Sequence, residues 1–229
     1  RGLTGNPTIL EGDGGLWDAM AGSPEIDFPL GSGGDFRVLQ VGMKKFPCCY
    51  LTQRIIDALK DLRTEHGLDN DSVASVEIDV TSTFTRVLKY PEPDNAEEAR
   101  FSIPHIVTSV LAGKPMFFES FTEESIRDPA LVRHRGKISL NVRPEWGDTQ
   151  LGPKHTIRIA TTDGRRIERD CFIAHGDPAD PLTIDEVVDR FHACTRSVLS
   201  PERSEEACGL LRDAENLPDI SGAMRLLAA

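Results

Sequence analysis

The stretch HTIRIATTDGRRIERDCF, residues 155–172, decides how this chain is read. His155–Thr161 and Arg165–Phe172 flank Thr162-Asp163-Gly164, and a glycine there tolerates the positive φ of a tight turn, so the stretch predicts a β-hairpin. Working outward, Ile138–Val142 is a further strand. Val73–Leu88 reads as a half-buried strand, with Val76, Ile78 and Val80 on one side and Glu77 and Asp79 on the other. Val38–Val41 is also read as a strand. Thr52–His66 places Ile55, Ile56, Leu59 and Leu62 on one face with Gly67 just past its end, the pattern of an amphipathic helix with a C-terminal stop. Ser102 caps a second helix holding Ile103, Ile106, Val107, Val110 and Leu111, closed by Gly113. Pro104 falls in its first turn, where a missing N–H costs little. The order β-α-β-α-β-β with antiparallel pairing predicts an α+β fold with a small antiparallel sheet, not a doubly wound one.

On either side the texture changes. Residues 1–37 are rich in Gly and Pro and read as a connector with one short helical turn near Leu16–Met20. Residues 38–175 carry the strands and helices above, and residues 176–229 are helical. In this tail Thr183 and Glu186 form a capping box, followed by Val187, Val188, Phe191, Cys194 and Val198 at helical spacing. Two shorter helices follow, over about Glu202–Leu211 and through Met224–Leu227. Their apolar faces need a partner, which is expected from a helical region outside this chain. The opening RGLTGNPTILEGDGGL reads as the middle of a longer polypeptide.

Composition bounds the function. The 229 residues carry 37 Asp and Glu against 26 Lys and Arg, a formal net charge of −11. Nucleic-acid phosphates demand a basic surface, so that class of partner is excluded. No apolar run approaches the ~20 residues of a membrane span. Five cysteines, an odd number without framework spacing, point to a reducing cytoplasm.

Four groups of residues invite chemistry. Gly31-Ser32-Gly33-Gly34 precedes a strand and not a helix, the wrong order for a phosphate loop, and reads as a connector. Cys48-Cys49 lacks the two-residue spacing of metal sites, which favours small semi-buried residues at a helix entry. Lys44-Lys45 is a positive spot just ahead of a helix N-terminus. It is either a solvated pair or a carboxylate-binding one, since ammonium and helix dipole both suit an anion. His105, in a helix first turn, is either structural or an acid/base group. His66, His134, His155, His175 and His192 lie in loops, strand starts or helix faces, with no ligand spacing between them.

Longer motifs carry a resemblance. MKKFPCCYLTQRIIDAL, ARFSIPHIVTSVLAG, RGLTGNPTILEGDGGLW and GDPADPLTIDEVVDRFHAC together resemble the MmgE/PrpD family, in order and across almost the whole chain. The resemblance implies an α+β lid domain over residues 38–175. It implies flanking segments, 1–37 and 176–229, that belong to an all-helical domain, most of which would precede Arg1. It further implies a cytoplasmic homodimeric enzyme acting on a small di- or tricarboxylic acid such as 2-methylcitrate. The reaction would be proton abstraction α to a carboxylate and elimination of water, without an iron–sulfur cluster, other cofactor or metal. Epimerisation, decarboxylation and non-catalytic anion binding are the alternatives. Lys44 matches the family's active-site lysine and, with His105, is the expected catalytic pair; Lys45, Cys49 and Gln53 are expected to bind substrate. Three positions depart from the pattern. His105 stands where many members have Tyr, Gln53 where they have His, and Cys49 where some decarboxylating members carry His.

Overall fold

A computed structural model describes residues 5–9 and 37–228. Its contacts divide the chain into Arg1–Leu39 and Gln40–Ala229. In the first unit residues 7–9 form a turn, with the Ile9 N–H donating to the Asn6 carbonyl at 3.2 Å. The Gly31–Gly34 stretch and the expected Leu16–Met20 turn lie outside the described residues.

In the second unit, helix α1, Gln53–His66, runs as its spacing predicts and ends at Gly67 with φ 63°. Strand β1, Val73–Val80, follows and is shorter than expected. Thr81 caps a new helix there, its side chain accepting from the Phe84 N–H, and α2, Ser82–Val87, occupies what reads in sequence as strand. The short α3, Ala96–Ala99, precedes α4, Ile103–Leu111, which Ser102 caps by accepting from the His105 N–H. Two further short helices, α5 Glu123–Arg127 and α6 Pro129–Val132, lead into β2, Ile138–Val142. The hairpin is β3, His155–Thr161, and β4, Arg166–Cys171, turning at Gly164 with φ 89°.

The four strands form one sheet in the order β2-β1-β3-β4. It is mixed and not purely antiparallel: β1 and β2 run parallel with Val76 opposite Ile138, while β1–β3 and β3–β4 are antiparallel. The fold class remains α+β. Parallel strands need a crossover, and α2 to α6 supply it. The expected strand at Val38–Val41 is absent. Arg37–Gln40 is a 3₁₀ turn, and Val38, Leu39 and Val41 are each 69% exposed, pairing with no strand among the described residues.

One face of the sheet carries α1 and α4, and the core lies between them: Ile55, Ile56, Leu59, Val76, Ile78, Ile106, Val110 and Ile157 are all buried. The other face is polar but not simply solvated. Asp79 is 1% exposed there, held by both Arg158 guanidinium nitrogens at 2.8 and 2.9 Å and by the Asn141 amide at 2.8 Å. The tail forms α7, Ile184–Thr195, α8, Pro201–Arg212, and α9, Ser221–Leu227. The capping box at Thr183 and Glu186 is present. Thr195 is the only buried residue of α7. Its stripe of Ile184, Val187, Phe191 and Cys194 stays open or half-covered, and Val198, read in sequence as part of that stripe, lies in the turn past the helix end. No described helix is long and apolar enough to cross a membrane.

Candidate substrate site

The segment from Gly42 to Cys49 crosses the start of α1 and is fixed at both ends. At one end the Met43 N–H donates to the Gly176 carbonyl at 2.7 Å, and the Tyr50 hydroxyl donates to Asp177 at 2.8 Å. At the other, the Cys49 N–H donates to the Arg100 carbonyl at 3.1 Å. Gln53 holds the middle. Its Oε1 accepts from the Phe46 N–H at 2.9 Å, and its Nε2 donates to the Phe46 carbonyl at 3.0 Å. Gln53 is wholly buried, so its amide is spent on the loop backbone and offers nothing to a ligand. A glutamine can do this where a histidine cannot, because one amide supplies a donor and an acceptor side by side.

The loop presents two lysines. Lys44 is exposed. Lys45 is half-buried, 3.4 Å from Asp57 and 4.0 Å from Glu186. The expected help from the α1 dipole is not available at the surface. Thr52, Gln53, Arg54 and Ile55 are all buried, so the first turn of α1 is covered by the loop. Anion attraction here draws on side-chain cations and not on that dipole.

Two cavities meet at Lys45. One, of about 490 Å³, sets an apolar wall of Phe46, Met116, Phe117 and Leu182 against the charged Glu186, Asp189 and Arg190, the last donating to the Lys45 carbonyl at 2.7 Å. The other, of about 410 Å³, is polar, with Arg54, Asp57, His175 and Asp180 in its wall. Both have the size of small-molecule pockets.

Cys49 is 8% exposed, and burial raises its thiol pKa, so it is a neutral packing group in this loop. Cys48 beside it is pushed up to about 12 by the same burial.

His105 stands apart from the lysines. It is wholly buried and lines neither cavity. Its Nε2 faces the Ser120 carbonyl at 2.7 Å and its Nδ1 faces the Arg135 guanidinium at 3.1 Å. Nδ1 therefore accepts and Nε2–H donates, a single neutral tautomer. Burial takes its pKa down to about 4, with the nearby Arg135 charge adding to that shift. In this arrangement the ring has no path to a substrate and works as a packed bridge between α4 and the segments that hold Ser120 and Arg135.

His175, assigned no role in the sequence, lies at the lysine site instead. Its ring touches Asp180 at 3.1 Å and Glu186 at 2.8 Å, and its backbone N–H donates to Asp57 at 3.2 Å. No spacing rule finds this group, because its partners sit on α1, on α7 and, at Asp180, in the turn between His175 and α7. The only sequence cue is the capping-box Glu186.

Fold and site together define an α+β module that holds a lysine-bearing loop over the start of its longest helix. The description of the MmgE/PrpD C-terminal domain matches residues 46–213, and the chain belongs to the MmgE/PrpD family. Similar proteins include cis-aconitate decarboxylase of Homo sapiens, 23% identical over 233 residues. The Mus musculus protein of that name is 23% identical over 234 residues. The alignments cover 99% of this chain and 48% of each relative, so the chain spans about half their length.

Proposed function

We propose that this chain is the lid-bearing part of a lyase that acts on a small di- or tricarboxylic acid, eliminating water from a 2-methylcitrate-like hydroxy acid. The observation that carries the reading is the clamped Lys44-Lys45 loop, which sets the half-buried Lys45 ammonium where two cavities meet and leaves Lys44 exposed beside it, outside the lining of both. Membership of the family supports it.

Removing a proton α to a carboxylate builds negative charge on a substrate that is already anionic. A positive group fixed in advance lowers that barrier more than one that must reorganise. Lys44 is the exposed ammonium of the loop and holds a substrate carboxylate. Gln53 keeps its backbone in place, and Lys45 adds a second charge near the cavities. Residues 38–175 act as the lid. The acid and base come from the remainder of the complete protein, because His105 stays neutral and enclosed.

Decarboxylation is the second reading, favoured by the name of the two relatives. Cys49 weighs against it: a buried neutral thiol cannot stand in for the titrating histidine of some decarboxylating members.

The test is an assay of the complete protein with 2-methylcitrate and with cis-aconitate, following water loss and carbon dioxide release separately. The expected result is water loss from 2-methylcitrate. Lys44→Ala is expected to lower kcat/KM about 10- to 100-fold, the scale of one lost charge-assisted hydrogen bond. Unchanged kinetics in that variant would remove Lys44 from the site, and carbon dioxide release alone would move the decarboxylase reading ahead.

A further inference from the structure

Two cations share two carboxylates beside the lysine loop. Asp57, on α1, holds the Lys45 ammonium with Oδ1 at 3.4 Å and takes the His175 backbone N–H on Oδ2 at 3.2 Å. Glu186, on α7, takes the His175 ring at 2.8 and 2.9 Å, while Lys45 waits at 4.0 Å. The other ring nitrogen of His175 faces Asp180 at 3.1 Å. Both ring nitrogens therefore face carboxylates, and only the imidazolium can donate to both at once.

We propose that His175 is a positioning residue whose protonation decides where the Lys45 ammonium rests, and through it how firmly the site holds an anionic substrate. The inference rests on the reading that the Lys44-Lys45 loop binds a substrate carboxylate, and it extends that reading to regulation by pH.

With the proton in place, three carboxylates (Asp57, Asp180 and Glu186) face two positive charges. When the proton leaves, a ring lone pair points at a carboxylate and one of the two cations is gone. Glu186 then has unmet charge and Lys45 is the cation within reach, so Lys45 is drawn from Asp57 in the polar cavity onto Glu186 in the wall of the other, where its charge is spent on that carboxylate. Other charges nearby are already engaged. Arg54 donates to the Phe172 carbonyl at 2.8 Å and to the Leu151 carbonyl, Arg169 pairs with Glu65, and Asp170 pairs with Lys154 at 2.6 Å. Asp61 lines the polar cavity as one more negative group, which deepens the deficit. Partial burial alone would favour the neutral ring, but the hydrogen bonds to Glu186 and Asp180 outweigh it and lift the His175 pKa above the ordinary histidine value.

The motion is coupled to the backbone of the loop. His175 is followed by Gly176, whose carbonyl holds the Met43 N–H at 2.7 Å, one residue before Lys44. A change at His175 therefore reaches both lysines.

The experiment uses the complete protein, with the His175 ring and the Lys45 side chain followed by NMR across a pH titration and citrate affinity measured by calorimetry. The expected NMR result is a His175 midpoint above 6.5 with the Lys45 signals moving at the same midpoint. Lys45 signals that stay flat through the His175 titration would overturn the proposal. Citrate should bind about three- to fivefold more weakly above that midpoint than below it, the scale of one partly exposed ion pair. His175→Gln should hold the weak affinity and His175→Lys the tight one, and neither should show the step. Comparison with these variants cancels the titration of citrate itself. Citrate binding with the same pH dependence in all three proteins would defeat the inference and leave the site reading standing. No citrate binding in any of them, with Lys45 still tracking His175, would defeat the site reading and leave the proton coupling standing.

Discussion

A buried imidazole resists protonation, and that resistance is a stability term with a sign. His105 has its pKa lowered to about 4 by burial, with Arg135 adding to the shift, and His155 is lowered to about 3 by burial, with Arg54 adding. The unfolded chain takes up these protons near the ordinary histidine value of 6.5 while the folded chain does not. Stability is therefore full above that value and falls as pH drops from it toward 4, each group contributing roughly 1.4 kcal/mol per pH unit. His175, with its raised pKa, acts in the opposite sense: its contribution is present at low pH and lost as pH rises through its folded value. Urea unfolding at a series of pH values should show the acid loss, and His105→Gln should make its slope shallower. An unchanged slope would mean that His105 is protonated in the folded protein. Sequence marks His105 as noticeable but cannot tell a bridge from an acid. The deciding partners, Ser120 and Arg135, are 15 and 30 residues away. Gln53 is the converse case. Its partners are within seven residues, yet nothing in a one-letter string says that its amide turns back on Phe46.

At the scale of elements, local signals carry their helices and non-local ones do not. Gly67 ends α1, Ser102 caps α4 and Thr183 opens α7 because each stop or cap is a contact within one turn. The parallel pairing of β1 with β2 is invisible locally, since strand direction depends on how a crossover of several short helices closes. Val73–Leu88 misleads for a related reason: β-branched residues run past Val80, and the Thr81 cap outweighs their strand preference. Glycines separate the two kinds of constraint by experiment. Gly176 has φ 105°, and a Cβ there would lie 2.1 Å from the Met43 carbonyl oxygen, so the backbone on which the lysine loop rests would have to move. Gly209, inside α8, has open space around its absent Cβ. Gly176→Ala should destabilise by about 3 kcal/mol or more, whereas Gly209→Ala should stabilise by about 0.5–1 kcal/mol. Melting of the two variants side by side checks this. A mild effect at Gly176 would show that the contact with Met43 can loosen without cost.

On the scale of the whole molecule, α7 poses the sharpest physical question. Ile184 is 63% exposed on the same stripe as Phe191 and Cys194, and a helix of that pattern is built to be covered. The two backbone segments that border residues 38–175 also run side by side, joined where Met43 donates to Gly176. On the function proposed above, residues 38–175 are a lid and α7 belongs to the helical body it closes against. The relatives are about twice as long, which leaves room for it. Thiol chemistry tests the idea cleanly, because Cys48, Cys49, Cys171 and Cys208 are buried while Cys194 is exposed. Burial also pushes Cys48 and Cys171 up to about 12, so they stay unreactive thiols in the folded state. In the 229-residue chain Cys194 should take a thiol reagent at the rate of a free surface cysteine. In the complete protein the same residue should react at least about tenfold more slowly, because the covering element must first open. Equal rates in the two would leave the α7 stripe facing water in both, and the division into lid and helical body would fall with it.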